Sequence, residues 1–131
     1  MTASYADVVE GIRATIAWYT HALDDGRTDD VVATFCPDGS CDMPGLGTPE
    51  GTDALRAAYE KVKPRIPQRH LVTNTLVTDW DDEEATATSD VVFLLRVDDR
   101  WTVRLVGRYH DTLHRDGDTW RFHRREADFV T

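Results

Sequence analysis

The chain has 131 residues, 40% of them hydrophobic and 30% charged, a length and balance that suit one folded domain and lie outside the composition of disordered chains. Its formal charge of −9, from 15 basic against 24 acidic side chains, sets the average field against nucleic acid and anionic membranes and excludes both as expected partners. The opening residues lack a basic region followed by an apolar run, and no segment approaches the roughly 20 apolar residues of a membrane span, so neither signal peptide nor anchor is expected and the expected compartment is the cytosol.

Tyr5, Val8, Val9, Ile12, Ile16, Tyr19 and Leu23 recur at three- and four-residue spacing, which predicts a long amphipathic helix with one buried face. Gly26 can take the left-handed conformation that ends it. Thr28 reads as the N-cap of a short second helix, with Asp29 and Asp30 in its first turn and Val31, Val32 and Phe35 as its apolar side. Pro37 to Gly51 is rich in glycine and proline and is expected to be irregular, with a short strand near Ser40–Met43. A third helix starts at Thr52-Asp53, buries Leu55, Ala58, Tyr59 and Val62, and is stopped by Pro64 and Pro67.

From His70 the period becomes that of strands, over His70–Thr78, Ala85–Val97, Trp101–His114 and Thr119–Val130. The acidic turns between them are short, so the four strands form an antiparallel meander. Helices followed by a run of strands give an α+β domain spanning residues 1–131, in which a curved antiparallel sheet forms a cone closed by the N-terminal helices around a mostly apolar pocket. On the third of these strands Leu105, Gly107, Tyr109 and Asp111 share one face, and Arg104, Val106, Arg108 and His110 the other.

Cys36 and Cys41 could be a bridge, half of a metal site or two unrelated thiols; the last is favoured, because no histidine stands at metal-type spacing from them. No metal is expected. Trp18, Trp80, Trp101 and Trp120 are too scattered for a ligand cage and read as core or interface aromatics. His110, His114 and His123 lie close to arginines and read as solvated or interface positions.

The stretch Tyr19 to Gly26, then Asp29/Asp30 and Phe35 to Gly39, then His70 opening a strand, with Gly107 to Asp111, Arg115 to Gly117 and Trp120 to Phe122 further on, resembles the SnoaL-like branch of the nuclear-transport-factor-2-like superfamily. The resemblance runs from about Val8 to Phe129. It implies the cone-shaped fold, and a superfamily that hosts dehydratases, isomerases, polyketide cyclases, epoxide hydrolases, dioxygenase small subunits and domains that only bind, so the reaction is not fixed by it. The nearest resemblance is to enzymes similar to scytalone dehydratase and bile-acid dehydratase. It gives Asp24 the place of their acid, Tyr19 that of a pocket tyrosine and His70 that of the pocket histidine. Where those enzymes carry a further acid or base on the second long strand, a gapless count places Leu95, which is counted with the substrate-contacting positions.

Those three residue types can perform acid–base chemistry without a cofactor. An imidazole titrates near neutral pH, a carboxylate partner fixes its tautomer, and a phenol can hold the oxygen of a forming enolate. Elimination of water, double-bond migration and aldol-type cyclisation of a hydrophobic oxygenated molecule suit this set about equally. Each residue also has a plainer reading: Asp24 as a turn residue or cap, His70 as a hydrogen-bonded rim residue, Tyr19 as packing. By the resemblance Gly107 leaves room for a ligand and Tyr109 reaches it, while Asp111 sits near the rim, where Arg115 could pair with it. A surface ion pair with Glu126 is the favoured role for Arg124 and Arg125, and Arg125 is the candidate for entering the pocket as a cation. Besides the enzyme, two readings stand: a non-catalytic binding domain, and the small subunit of a ring-hydroxylating dioxygenase. The superfamily's habit of covering its sheet with a second copy predicts a homodimer.

Overall fold

The computed structural model describes residues 3–130. Helix α1 (Tyr5–Asp24) begins with a reciprocal cap in which the Asp7 amide donates to the Ser4 hydroxyl at 3.1 Å and the Ser4 amide donates to the Asp7 carboxylate at 3.4 Å. Its apolar stripe Val8, Ile12, Ile16 and Tyr19 is buried, as the spacing predicts. Gly26, at φ 72°, ends it, and α2 (Thr28–Ala33) follows with Arg27, not Thr28, at the N-cap. Phe35 belongs to strand β1 (Phe35–Asp42) and not to the second helix. Helix α3 (Thr52–Lys61) and strands β2 (Gln68–Trp80), β3 (Glu84–Val97), β4 (Arg100–Asp116) and β5 (Thr119–Val130) complete the chain.

The five strands lie in the order β1-β5-β4-β3-β2. Four of them form the expected antiparallel meander. The fifth, β1, is twice the expected extent and pairs parallel with β5, Phe35 opposite Phe122 and Cys41 opposite Arg125. Its pairing survives Pro37 and Gly39 because the register breaks between Phe35 and Ser40, and a bulge there absorbs the residues that cannot fit the ladder. Further register shifts bend the other strands: one in β2 around Asn74, held at φ 55°, one between Phe93 and Leu94, and one between Thr112 and Leu113. The sheet is therefore curved, and it stays open, since β1 and β2 are both edges.

The helices fill the concave side. Val8, Ile12, Tyr19 and Leu55 pack there against Val91, Leu113 and Phe122 of the sheet. Trp120 is the tryptophan that joins this core; Trp18, Trp80 and Trp101 are exposed. Gly11 on α1 exists where a Cβ would stand 2.6 Å from the Trp120 ring, and Gly107 where one would stand 2.7 Å from the Asp128 carbonyl and 2.8 Å from the Phe129 ring. Gly107 thus admits Phe129 and not a ligand, which corrects its expected role. On the convex side Leu71, Val92, Val106 and Val130 form a cross-strand row of register partners, and Leu94 and Val103 lie beside it. No helix among the described residues is long and apolar enough to cross a membrane.

Candidate functional site

The concave side leaves a cavity of about 240 Å³ between α1, α3, β2 and the inner face of β3 to β5. Leu23, Val91, Phe93, Leu105 and Phe129 make most of its wall, and the turn from Met43 to Leu46 stands at its edge. The polar groups on the wall are few: Tyr19, Tyr59, Gln68, His70 and Tyr109. This is the expected composition of a pocket that encloses a mostly apolar small molecule and orients it through a handful of hydrogen bonds.

Asp24 and His70 meet there. Asp24 is the last residue of α1, its side chain 5% exposed, and His70 is the third residue of β2. One carboxylate oxygen accepts the His70 backbone N–H at 2.8 Å, and the other lies 2.6 Å from His70 Nδ1. The Gln68 amide donates to that second oxygen at 3.2 Å. A carboxylate can only accept these bonds, so Nδ1 carries a proton, and Nε2 has no hydrogen-bond partner among the described residues; in the neutral ring it presents a lone pair. The ring is fixed further by stacking on Phe93, with centroids 4.4 Å apart.

Tyr19 joins a buried chain rather than standing alone. Its hydroxyl is 2.7 Å from that of Tyr59, which is in turn 3.2 Å from Cys41 Sγ. Burial pushes both phenols well above the ordinary tyrosine value, and it pushes the Cys41 thiol up to about 11, so all three groups are neutral donors and acceptors. Cys36, also raised by burial, and Cys41 are free thiols. Tyr109 lines the cavity as expected, its phenol raised by burial.

Three expected positions fall elsewhere. Leu95 lies beyond Phe93 toward the open end of β3, paired with Gln68 and Thr102 and off the cavity wall, so the wall holds a single imidazole and no second acid or base of the ordinary range. Gly107 is behind Phe129. Arg125 lies beneath the wall, its side chain 0% exposed, with Nε 3.1 Å from the equally buried Asp111. Asp111 is therefore neither at the rim nor near Arg115, and the surface pair with Glu126 belongs to Arg124, at 2.6 Å. His110, His114 and His123 are on the convex side beside Asp128, Glu84 and Asp38.

Sequence reasoning missed Tyr59 and Gln68. Tyr59 was legible only as part of an apolar stripe, although a buried tyrosine needs a partner for its hydroxyl. Gln68 shares the parity of His70 on β2 and so its face, a signal that an earlier strand start would have exposed.

A search of curated proteins returned no match. Solved structures of similar shape are numerous. Among them, an NTF2-like protein with a cystatin-like fold from Novosphingobium aromaticivorans is 25% identical, with 92% of this chain and 80% of that one covered at a TM-score of 0.82. A candidate scytalone dehydratase from the same organism is 22% identical, covering 94% and 84% at 0.82. The β subunit of a candidate aromatic-ring-hydroxylating dioxygenase, again from that organism, is 20% identical, covering 98% and 93% at 0.84. At these identities the likeness is one of fold. The SnoaL-like domain pattern matches residues 4–126, nearly the whole chain, and on that ground the protein belongs to the SnoaL-like domain family.

Proposed function

We propose that the cavity binds a hydrophobic, oxygenated small molecule and that His70 is its single acid–base catalyst, in a dehydration, isomerisation or cyclisation that passes through an enolate. The observation that carries this reading is the clamp on His70: Asp24 takes its backbone N–H and its Nδ1, which leaves Nε2 without a partner among the described residues on a ring that lines an apolar cavity. Nε2 would take a proton from the carbon next to a carbonyl. The electron pair moves onto the carbonyl oxygen, where a neutral phenol, Tyr109 or the Tyr19–Tyr59 pair, donates a hydrogen bond. The imidazolium then returns its proton, to a departing hydroxyl in a dehydration or to another carbon in an isomerisation. One base can serve both steps, so the wall needs no second one.

Proton abstraction can be tested without knowing the substrate. Deuterium exchange at the α-carbon of 2-tetralone, followed by proton NMR, is expected with the native protein and is expected to fall about 10²-fold or more in His70→Gln. Binding of 2-tetralone without exchange above buffer would favour a non-catalytic binding domain, the reading supported by the lack of a second acid or base of the ordinary range on the wall. We also propose that a second copy covers the convex face. The row Leu71, Val92, Val106 and Val130 is apolar, and the neighbouring row Asp90, Arg108 and Asp128 alternates in sign, so a copy related by a two-fold axis can meet it with opposite charges.

A further inference from the structure

Arg125 is the largest fully buried side chain among the described residues. A buried ion pair is weak ground for stability, because desolvation of both charges offsets their attraction and an apolar replacement is often neutral or better. Nor is this pair well bonded. Asp111 Oδ1 is near Nε, but no guanidinium nitrogen has an aligned acceptor. The neighbours of the guanidinium are instead ring faces: its Cζ lies 3.5 Å from the centroid of Tyr109, 4.3 Å from that of Tyr19 and 4.5 Å from that of Phe122. Two of these three rings are on the cavity wall.

A cation against the face of a phenol draws electron density from the ring and strengthens its O–H as a donor, and with water excluded the effect is little screened. Cys41 of β1 stands opposite Arg125 in the ladder, and the titratable groups that act on the arginine are Asp111 and Tyr109 of β4, Tyr19 of α1 and Tyr59 of α3. Burial opposes its charge, yet these groups together hold it above the ordinary arginine range. Burial likewise raises Tyr109, and Arg125 is the largest influence in the opposite direction, ahead of the contrary effect of Asp111.

We infer that Arg125 is a positioning residue of the site: it holds Tyr109 and Tyr19 face-on from beneath the wall and biases the cavity toward ligands that carry negative charge on an oxygen, enolates or phenolates. The inference rests on reading the cavity as a site for oxygenated molecules. Its probe is 4-nitrophenol, whose bound ionisation state is read from its absorbance across a pH series. The proteins compared are the native chain, Arg125→Met/Asp111→Leu, which removes both charges at similar volume, and Arg125→Lys, which keeps the charge, with folding checked by circular dichroism. The acid dissociation constant of bound nitrophenol is expected to be about tenfold smaller in the double variant than in the native chain, and Arg125→Lys is expected to keep most of the native value. Equal constants in the native chain and the double variant, or an Arg125→Lys that behaves as the double variant, would overturn the electrostatic role alone. No binding by the native chain would overturn the reading of the cavity and this inference with it. If the double variant does not fold, Tyr109→Phe against Arg125→Lys decides: the inference requires the hydroxyl's loss to reduce the constant and the retained charge to preserve it.

Discussion

Both carboxylate oxygens of Asp24 are committed to His70, and an amide in their place could accept one of those N–H groups but would turn a donor toward the other. Asp24→Asn is therefore expected to lose exchange activity about as severely as His70→Gln, with a stability loss of only about 1–3 kcal/mol. A lowered melting temperature with undiminished exchange would show that the clamp is structural. A second prediction concerns Asp111, whose carboxyl burial raises to about 6 from an ordinary 3.8. The native state then keeps a proton that the unfolded chain has released. The resulting stability is fully present below the unfolded value and is lost as the pH rises through the folded one. Denaturant unfolding at about pH 4 and about pH 7 should show the native chain losing about 2 kcal/mol relative to Asp111→Asn between the two, and a constant difference would contradict it. Of these residues the sequence made His70, Asp24, Tyr19 and Tyr109 visible, through a family resemblance and strand parity. It also offered Arg125 as a cation for the pocket, but not its burial against Asp111: counted back from the turn at Gly117, the partner of Asp111 is Arg124, and only the bulge between Thr112 and Leu113 moves the register to Arg125. A one-residue slip exchanges the two faces of a strand, so this bulge decides which arginine is inside.

At the scale of elements, the spacing rules located α1, α3 and the four meander strands, because their patterns are local. Strand β1 was legible only in part, since what extends it is parallel pairing with β5 at the other end of the chain. Its Pro37 and Gly39 argued for a loop, and the ladder overrode them by bulging. Close packing leads to a test on α1. Alanine in place of a glycine inside a helix usually stabilises by about 1 kcal/mol. At Gly11, however, the new methyl would stand 2.6 Å from the buried Trp120 ring, whose backbone carbonyl is also held by Thr15. Overpacking of that kind costs about 1–3 kcal/mol and should win, so Gly11→Ala is expected to lower the melting temperature. By contrast Ser4→Ala removes only the cap of α1, and its cost is expected near 1 kcal/mol with the site unaffected. An exchange rate that fell with Ser4→Ala would tie the start of α1 to the chemistry at its end.

For the whole molecule, the α+β order and the concave pocket followed from the succession of helices and strands, while the proposed dimer depends on surface that the chain alone leaves uncovered. Light scattering coupled to size exclusion is expected to give twice the chain mass of 14.9 kDa, and Val106→Arg, at the middle of the apolar row, is expected to give the single mass without loss of helix or strand signal. A native monomer would remove the proposal. The Asp24 clamp also has a meaning on this scale. Strand β2 is an edge, and the N–H of His70 points away from β3 into the side where another chain could add a strand. An open edge is a template for association, and proteins blunt it with charge or cover. Asp24 supplies both, laying a carboxylate and the end of a helix across the vacant hydrogen-bonding position, so the residue that orients the imidazole also guards the sheet against growing outward from its last strand.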